Sequence, residues 1–175
     1  MKNWMIASAL AITALAAAPV DALAQQDAWL TMKTKIALMT ADNVSTSDLN
    51  VDTVNGAVTL HGKVESAAEK ANAERVAKGI DGVKSVQNLL QVVAPSQEKR
   101  TDASDKDVED RVKKAFTADA VVKDSGIAVT SVNKGVVLIS GRAKSLEAHL
   151  KAIETARGVA GVRRVATQVT MVESR

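Results

Sequence analysis

Apolar residues along the chain fall into two periods. Val108, Val112, Ala115 and Phe116 follow the i, i+4, i+7, i+8 spacing of one helical stripe. Trp29, Leu30, Met32, Ile36, Ala37 and Leu38 form a broader stripe earlier on, and this reading puts both Trp29 and Phe116 in a core. Leu49 to Thr53 alternates apolar and polar, as a half-buried strand does, and Asn55-Gly56 signals a tight turn. The returning strand, Ala57 to Val64, places Val58, Leu60 and Val64 on one face and leaves His61 on the other, partly exposed. Gly62 falls on the apolar face, where a missing side chain lets another backbone approach, expected to be the next helix. That helix starts at Ser66, with Glu69 three residues on, and buries Ala73, Val76, Ala77 and Ile80 before Gly79 or Gly82. A last strand spans Val86 to Val93.

The pattern then repeats. Gly56-Ala57-Val58-Thr59-Leu60-His61-Gly62 aligns with Gly135-Val136-Val137-Leu138-Ile139-Ser140-Gly141 at an offset of 79, as does Gly82-Val83 with Gly161-Val162. Upstream the offset is 78: Leu30 aligns with Val108, Leu49 with Ile127 and Val51 with Val129. The one inserted residue is expected in the turn, Asn133-Lys134-Gly135 against Asn55-Gly56, because turn lengths vary cheaply. In the second copy, Ser104 or Asp105 is the expected cap of the first helix. Ser145 caps the second, with Leu146, Leu150 and Ile153 pointing inward, and Val165 to Val172 is the last strand. Polar residues 94–104 read as a linker between domains 27–93 and 105–172. The expected fold is α+β: two tandem α-β-β-α-β domains, each a small mixed sheet with two helices on one face.

Residues 1–24 read as a secretory signal peptide. Lys2 is followed by the apolar run Met5 to Ala18 and the small-x-small site Ala22-Leu23-Ala24, so cleavage is expected after Ala24. There is no Cys, which excludes disulfides, thiolate metal sites and acylation of an N-terminal cysteine; Gln25 stands where the acylated residue would be. Two His, no Tyr, one Phe and two Trp leave little material for catalysis or base stacking, and the net charge is only +3. His61 and His149 have no ligand-like spacing. No catalytic, cofactor or metal site and no nucleic-acid partner are therefore expected.

The Gly-x-Val-x-Leu-x-Gly strand, doubled with Ile139 in place of the leucine, the small-residue helix after it and the Gly-Val-x-x-Val lead into the last strand together resemble the BON, or transport-associated, domain. A signal peptide followed by two such domains is similar to the double-domain members of that family in the bacterial envelope. The resemblance implies a periplasmic, non-enzymatic protein that binds anionic phospholipid or membrane surfaces and supports envelope integrity under osmotic stress. It also admits a periplasmic chaperone or an adaptor for envelope proteins.

Two sets of side chains are candidates for contact. Arg111, Lys113 and Lys114 on the first helix of the second copy, with Lys123 after it, form a basic group for a lipid surface, although Glu109, Asp110, Asp119 and Asp124 are interleaved. Val136 and Leu138 lie on the sheet face away from the helices. They are either a partner surface or a packing surface for the other domain.

Overall fold

A computed structural model describes residues 20–172. The signal peptide expected at 1–24 lies outside the described residues except for its last five positions, which begin the first helix. The first half runs α1 (Val20–Thr40), β1 (Leu49–Val54), β2 (Ala57–Val64), α2 (Ala67–Lys78), β3 (Ser85–Asn88) and β4 (Gln91–Val92). The second runs α3 (Glu98–Ala118), α4 (Ala120–Lys123), β5 (Ile127–Asn133), β6 (Val136–Ala143), α5 (Leu146–Arg157) and β7 (Arg164–Met171). In each half the middle strand pairs antiparallel with the strand before it and parallel with the strand after the helix. β3 and β4 are one interrupted strand along β2. The fold is α+β, as expected. The polar segment 94–104 is helical from Glu98 onward, after a 3-10 turn at Pro95–Gln97.

The inserted residue is not in the turn. Both hairpins have two-residue turns, Asn55-Gly56 and Lys134-Gly135, with positive φ at each position (53° and 79°, 50° and 73°). The extra residue is Thr130, a bulge between Val129 and Ser131 in β5. A two-residue turn fits the twist of the flanking strands, so lengthening it would splay the hairpin, whereas a bulge absorbs a residue locally. The two glycines on the core face are likewise approached by something other than the following helix. A Cβ on Gly62 would lie 1.8 Å from the Asp48 carbonyl oxygen, and one on Gly141 would lie 2.1 Å from that of Gly126. The backbone entering the hairpin folds over these positions.

Each half has its own core. Leu38, Val51, Val58, Leu60, Ala73, Ala77 and Leu90 fill the first. Val108, Val112, Phe116, Val137, Ile139, Ala152 and Ala156 fill the second. On α5 the buried side is alanine, not leucine: Ala148, Ala152 and Ala156 face the sheet, while Leu146 is 72% and Leu150 57% exposed. Alanines at four-residue spacing let the helix backbone settle close to the sheet, and the repeat had already aligned Ala152 and Ala156 with Ala73 and Ala77. The cap serines behave as expected, Ser66 accepting from the Glu69 N–H and Ser145 from the Ala148 N–H.

The halves meet on the sheet faces turned away from the helices. Leu89, Leu138 and Ala166 form a small buried cluster there. Consecutive Leu89 and Leu90 are both buried because they point to opposite sides, one into this seam and one into the first core. Thr59 and His61 are buried on the same outer face of β2. The Lys134 ammonium donates to the Val92 carbonyl at 3.1 Å, and Lys63 pairs with Asp102 of α3.

Candidate functional site

Helix α1 is apolar on two sides. Leu30, Thr34 and Leu38, spaced by four, are buried against the first sheet. Trp29, Met32, Ile36 and Met39 remain 66%, 56%, 56% and 70% exposed. At about 100° per residue these four span an arc of about 80° centred opposite the buried line. Lys33 and Lys35 flank the arc, each about 40° beyond its edge. The stripe is therefore a narrow apolar face edged with cations. It corrects the expectation that Trp29 is a core residue: α1 has only one side to give to a sheet, and Leu30, Thr34 and Leu38 take it.

The basic group expected for lipid contact is partly spent within its own helix. Arg111 donates to Asp107 at 2.8 Å and Lys113 pairs with Glu109, whose carboxylate raises the lysine's pKa through a hydrogen bond and charge attraction. Lys114 and Lys123 are exposed and form no salt bridge among the described residues. The structure thus leaves two of the four as free charges. Of the partner-contact pair, Val136 is partly exposed, but Leu138 is 1% exposed. Leu138 packs on Leu89 of the other half, so of the two readings for this face it takes the packing one and is no partner residue while the halves are docked.

The same docking covers His61, expected to be partly exposed. Its Nε2 lies 2.9 Å from Asp52 Oδ2, and this hydrogen bond is the main cause holding the Asp52 carboxyl below its usual range. Its Nδ1, Ser131 Oγ and Gln168 Nε2 are buried polar atoms without a partner. His149, on the partly exposed side of α5, lies 2.6 Å from Thr167 Oγ1 through Nε2. Among the described residues no group of three His, Asp or Glu side chains is placed to hold a metal, and no helix is long and apolar enough to cross a membrane.

A device that the sequence reading missed ties each first helix to its hairpin. Asn55 and Gly56 N–H groups donate to Asp27 Oδ2 and Oδ1 at 2.6 and 2.8 Å. Lys134 and Gly135 N–H groups donate to Asp105 Oδ2 and Oδ1 at 2.7 and 3.1 Å. Asp105 is thus no helix cap; it lies inside α3 and reaches sideways. The signal was available, since Asp27 and Asp105 stand at the upstream offset of the repeat.

This latched α-β-β-α-β unit, present twice, matches the family model for the BON domain at residues 26–94 and 104–173. The chain belongs to the BON-domain family. Osmotically-inducible protein Y of Escherichia coli (strain K12) is similar to this BON protein, with 36% identity over 140 residues, 79% of this chain and 69% of that protein. Two solved structures of CdsD, a structural protein of the type III secretion system of Chlamydia trachomatis, align with 81% and 83% of the BON chain. They are 17% and 15% identical, with 64% and 93% of those chains covered. At TM-scores of 0.32 and 0.31 these likenesses carry no argument.

Proposed function

We propose that this protein binds anionic phospholipid surfaces reversibly, without catalysis, and that it does so in the bacterial periplasm in support of the envelope under osmotic stress. The observation that carries the reading is the outward stripe of α1, Trp29, Met32, Ile36 and Met39 between Lys33 and Lys35. An apolar face edged by lysines suits the plane of a membrane interface. Sinking the exposed two thirds of a tryptophan of about 200 Å² is worth up to about 3 kcal/mol at about 25 cal/mol per Å². Each lysine near an anionic leaflet adds about 1 kcal/mol, and Lys114 and Lys123 are available for the same attraction. Cleavage after Ala24 leaves the stripe intact. The similarity to a protein named for osmotic induction supports the stress role.

The test uses the chain from Gln25 onward, whose one tryptophan is Trp29. Its emission should shift to the blue with phosphatidylglycerol vesicles, less so as salt rises, and little with phosphatidylcholine alone. Ile36→Ser with Met32→Ser should weaken vesicle binding about 10-fold or more. Unchanged emission at low salt rejects the proposal. A second reading has one observation in its favour: Met32 and Met39 are adaptable side chains, suited to capturing varied unfolded clients. It expects the same double variant to lose suppression of client aggregation while vesicle binding is absent in both proteins.

A further inference from the structure

A cleft of about 480 Å³ opens beside the β5–β6 turn, its wall including Arg100, Thr101, Ser104, Lys134, Gly135 and Arg163. Three cationic side chains reach it from three places: Arg100 from α3, Lys134 from the turn and Arg163 from the loop before β7. None of them forms a salt bridge among the described residues, whereas Lys106, Arg111 and Lys113 on α3 each pair with a carboxylate four residues earlier or later. The one carboxylate in the lining, Asp105, already accepts the Lys134 and Gly135 N–H groups. The Lys134 ammonium gives one hydrogen bond to the Val92 carbonyl and keeps two donors. Arg163 Nη1 reaches the Lys134 carbonyl at 3.5 Å, which holds its guanidinium across the turn.

The first half is an internal control. It has the same turn and the same aspartate latch, but Asn55 stands in place of Lys134 and Lys84 in place of Arg163, and the position aligned with Arg100, Ala22, lies before the expected cleavage site. Lys134 is also the poorer turn residue. Its φ is 50°, a left-handed conformation that Asn55 adopts readily at 53° and that strains a long side chain. The lysine therefore does nothing for the turn that asparagine does not do better; what it adds is one hydrogen bond to the Val92 carbonyl of the first half and a positive charge on the wall of the cleft. Two guanidinium or ammonium groups with a third beside them, plus hydroxyls, match a tetrahedral oxyanion with forked donors.

We propose that the cleft of the second BON domain binds a phosphate group. The proposal goes beyond membrane contact through α1 and does not depend on it. Phosphate chemistry could reach the cleft as a lipid headgroup or as a soluble phosphate, and one experiment separates the two. The chain from Gln25 is titrated with inorganic phosphate at constant ionic strength and followed by amide NMR. Lys134, Gly135, Gly161 and Arg163 should shift and saturate, while Asn55, Gly56 and Lys84 stay still. Lys134→Asn installs the residue of the other turn and should keep the fold; together with Arg163→Gln it should raise the apparent Kd at least 10-fold, with spectral changes confined to the β5–β6 turn and the residues around Val92, whose carbonyl loses the lysine's hydrogen bond. If phosphatidylglycerol vesicles displace the phosphate, the headgroup is the source; if they do not, the ligand is a soluble phosphate. Non-saturating shifts, equal shifts with chloride, equal response of both turns, or full affinity in the variant each overturn the proposal.

Discussion

The aspartate latch makes a quantitative test of how these small domains hold their hairpins. Asp105 is 5% exposed and accepts two backbone N–H groups, one of them buried. Hydrogen bonds to a charged acceptor contribute about 1.5–3 kcal/mol each, and a buried donor left unmatched costs about 1–3 kcal/mol. Asp105→Ala frees Lys134 N–H to water but strands Gly135 N–H, so a loss of about 3 kcal/mol is expected. Asp105→Asn keeps one carbonyl acceptor and should lose about half of that. Asp27 is only partly buried and the Asn55 end of its latch is exposed, so Asp27→Ala should cost less. The assay is native-state hydrogen exchange, which reads each half separately. In Asp105→Ala the Gly135 amide should exchange about 100-fold faster, by the rule that 1.4 kcal/mol is tenfold. The Gly56 amide should keep its rate. If Gly135 exchange is unchanged, the latch geometry is wrong; if both turns accelerate equally, the halves do not open independently.

The glycines on the core face give a second expectation. Gly141→Ala should cost more than about 3 kcal/mol, because its Cβ would meet the Gly126 carbonyl at 2.1 Å and φ is +128°. Gly158→Ala, with φ of −70° and its nearest neighbour at 3.6 Å, should stay within about 0.5 kcal/mol, and urea unfolding of the pair checks the contrast. The His61–Asp52 bond at the seam predicts acid sensitivity. A carboxylate whose folded pKa is lowered contributes stability above its unfolded value, near 3.8, and loses that contribution as pH falls through the lower folded value. Urea midpoints of the wild type should therefore fall more steeply below about pH 4 than those of Asp52→Asn. Parallel curves would remove the bond from the account.

Much of this architecture is local, and the chain spells it out. A strand alternates, a helix repeats near four, Asn-Gly turns, and Ser before a helix caps it; each of these needs only near neighbours in sequence. The duplication then doubled every signal, so the element order and the family could be read from residues such as Gly56 to Gly62 and Gly135 to Gly141. The site was less legible, for a geometric reason. Periodicity reports how apolar a helix is and not which of two apolar sides meets the sheet. So periodicity alone puts Trp29 inside, and Leu146 and Leu150 with it, although alanines at the repeat positions mark the true contact on α5.

What the sequence determined by itself is therefore most of what neighbouring residues set: the helices and strands of the repeat, their order, their repetition and the family they belong to, though not the helical start of α3 at Glu98 within the polar segment. The tertiary structure alone decided matters that join distant residues. It placed the inserted residue in a bulge at Thr130, because pairing constrains the turn more than the strand. It turned Asp27 and Asp105 from helix residues into latches across 28 and 29 positions. It buried Leu138 and His61 by docking the second half on the first, and it left the stripe from Trp29 to Met39 bare, because a helix lying on one sheet has a second face that nothing in its own domain can reach.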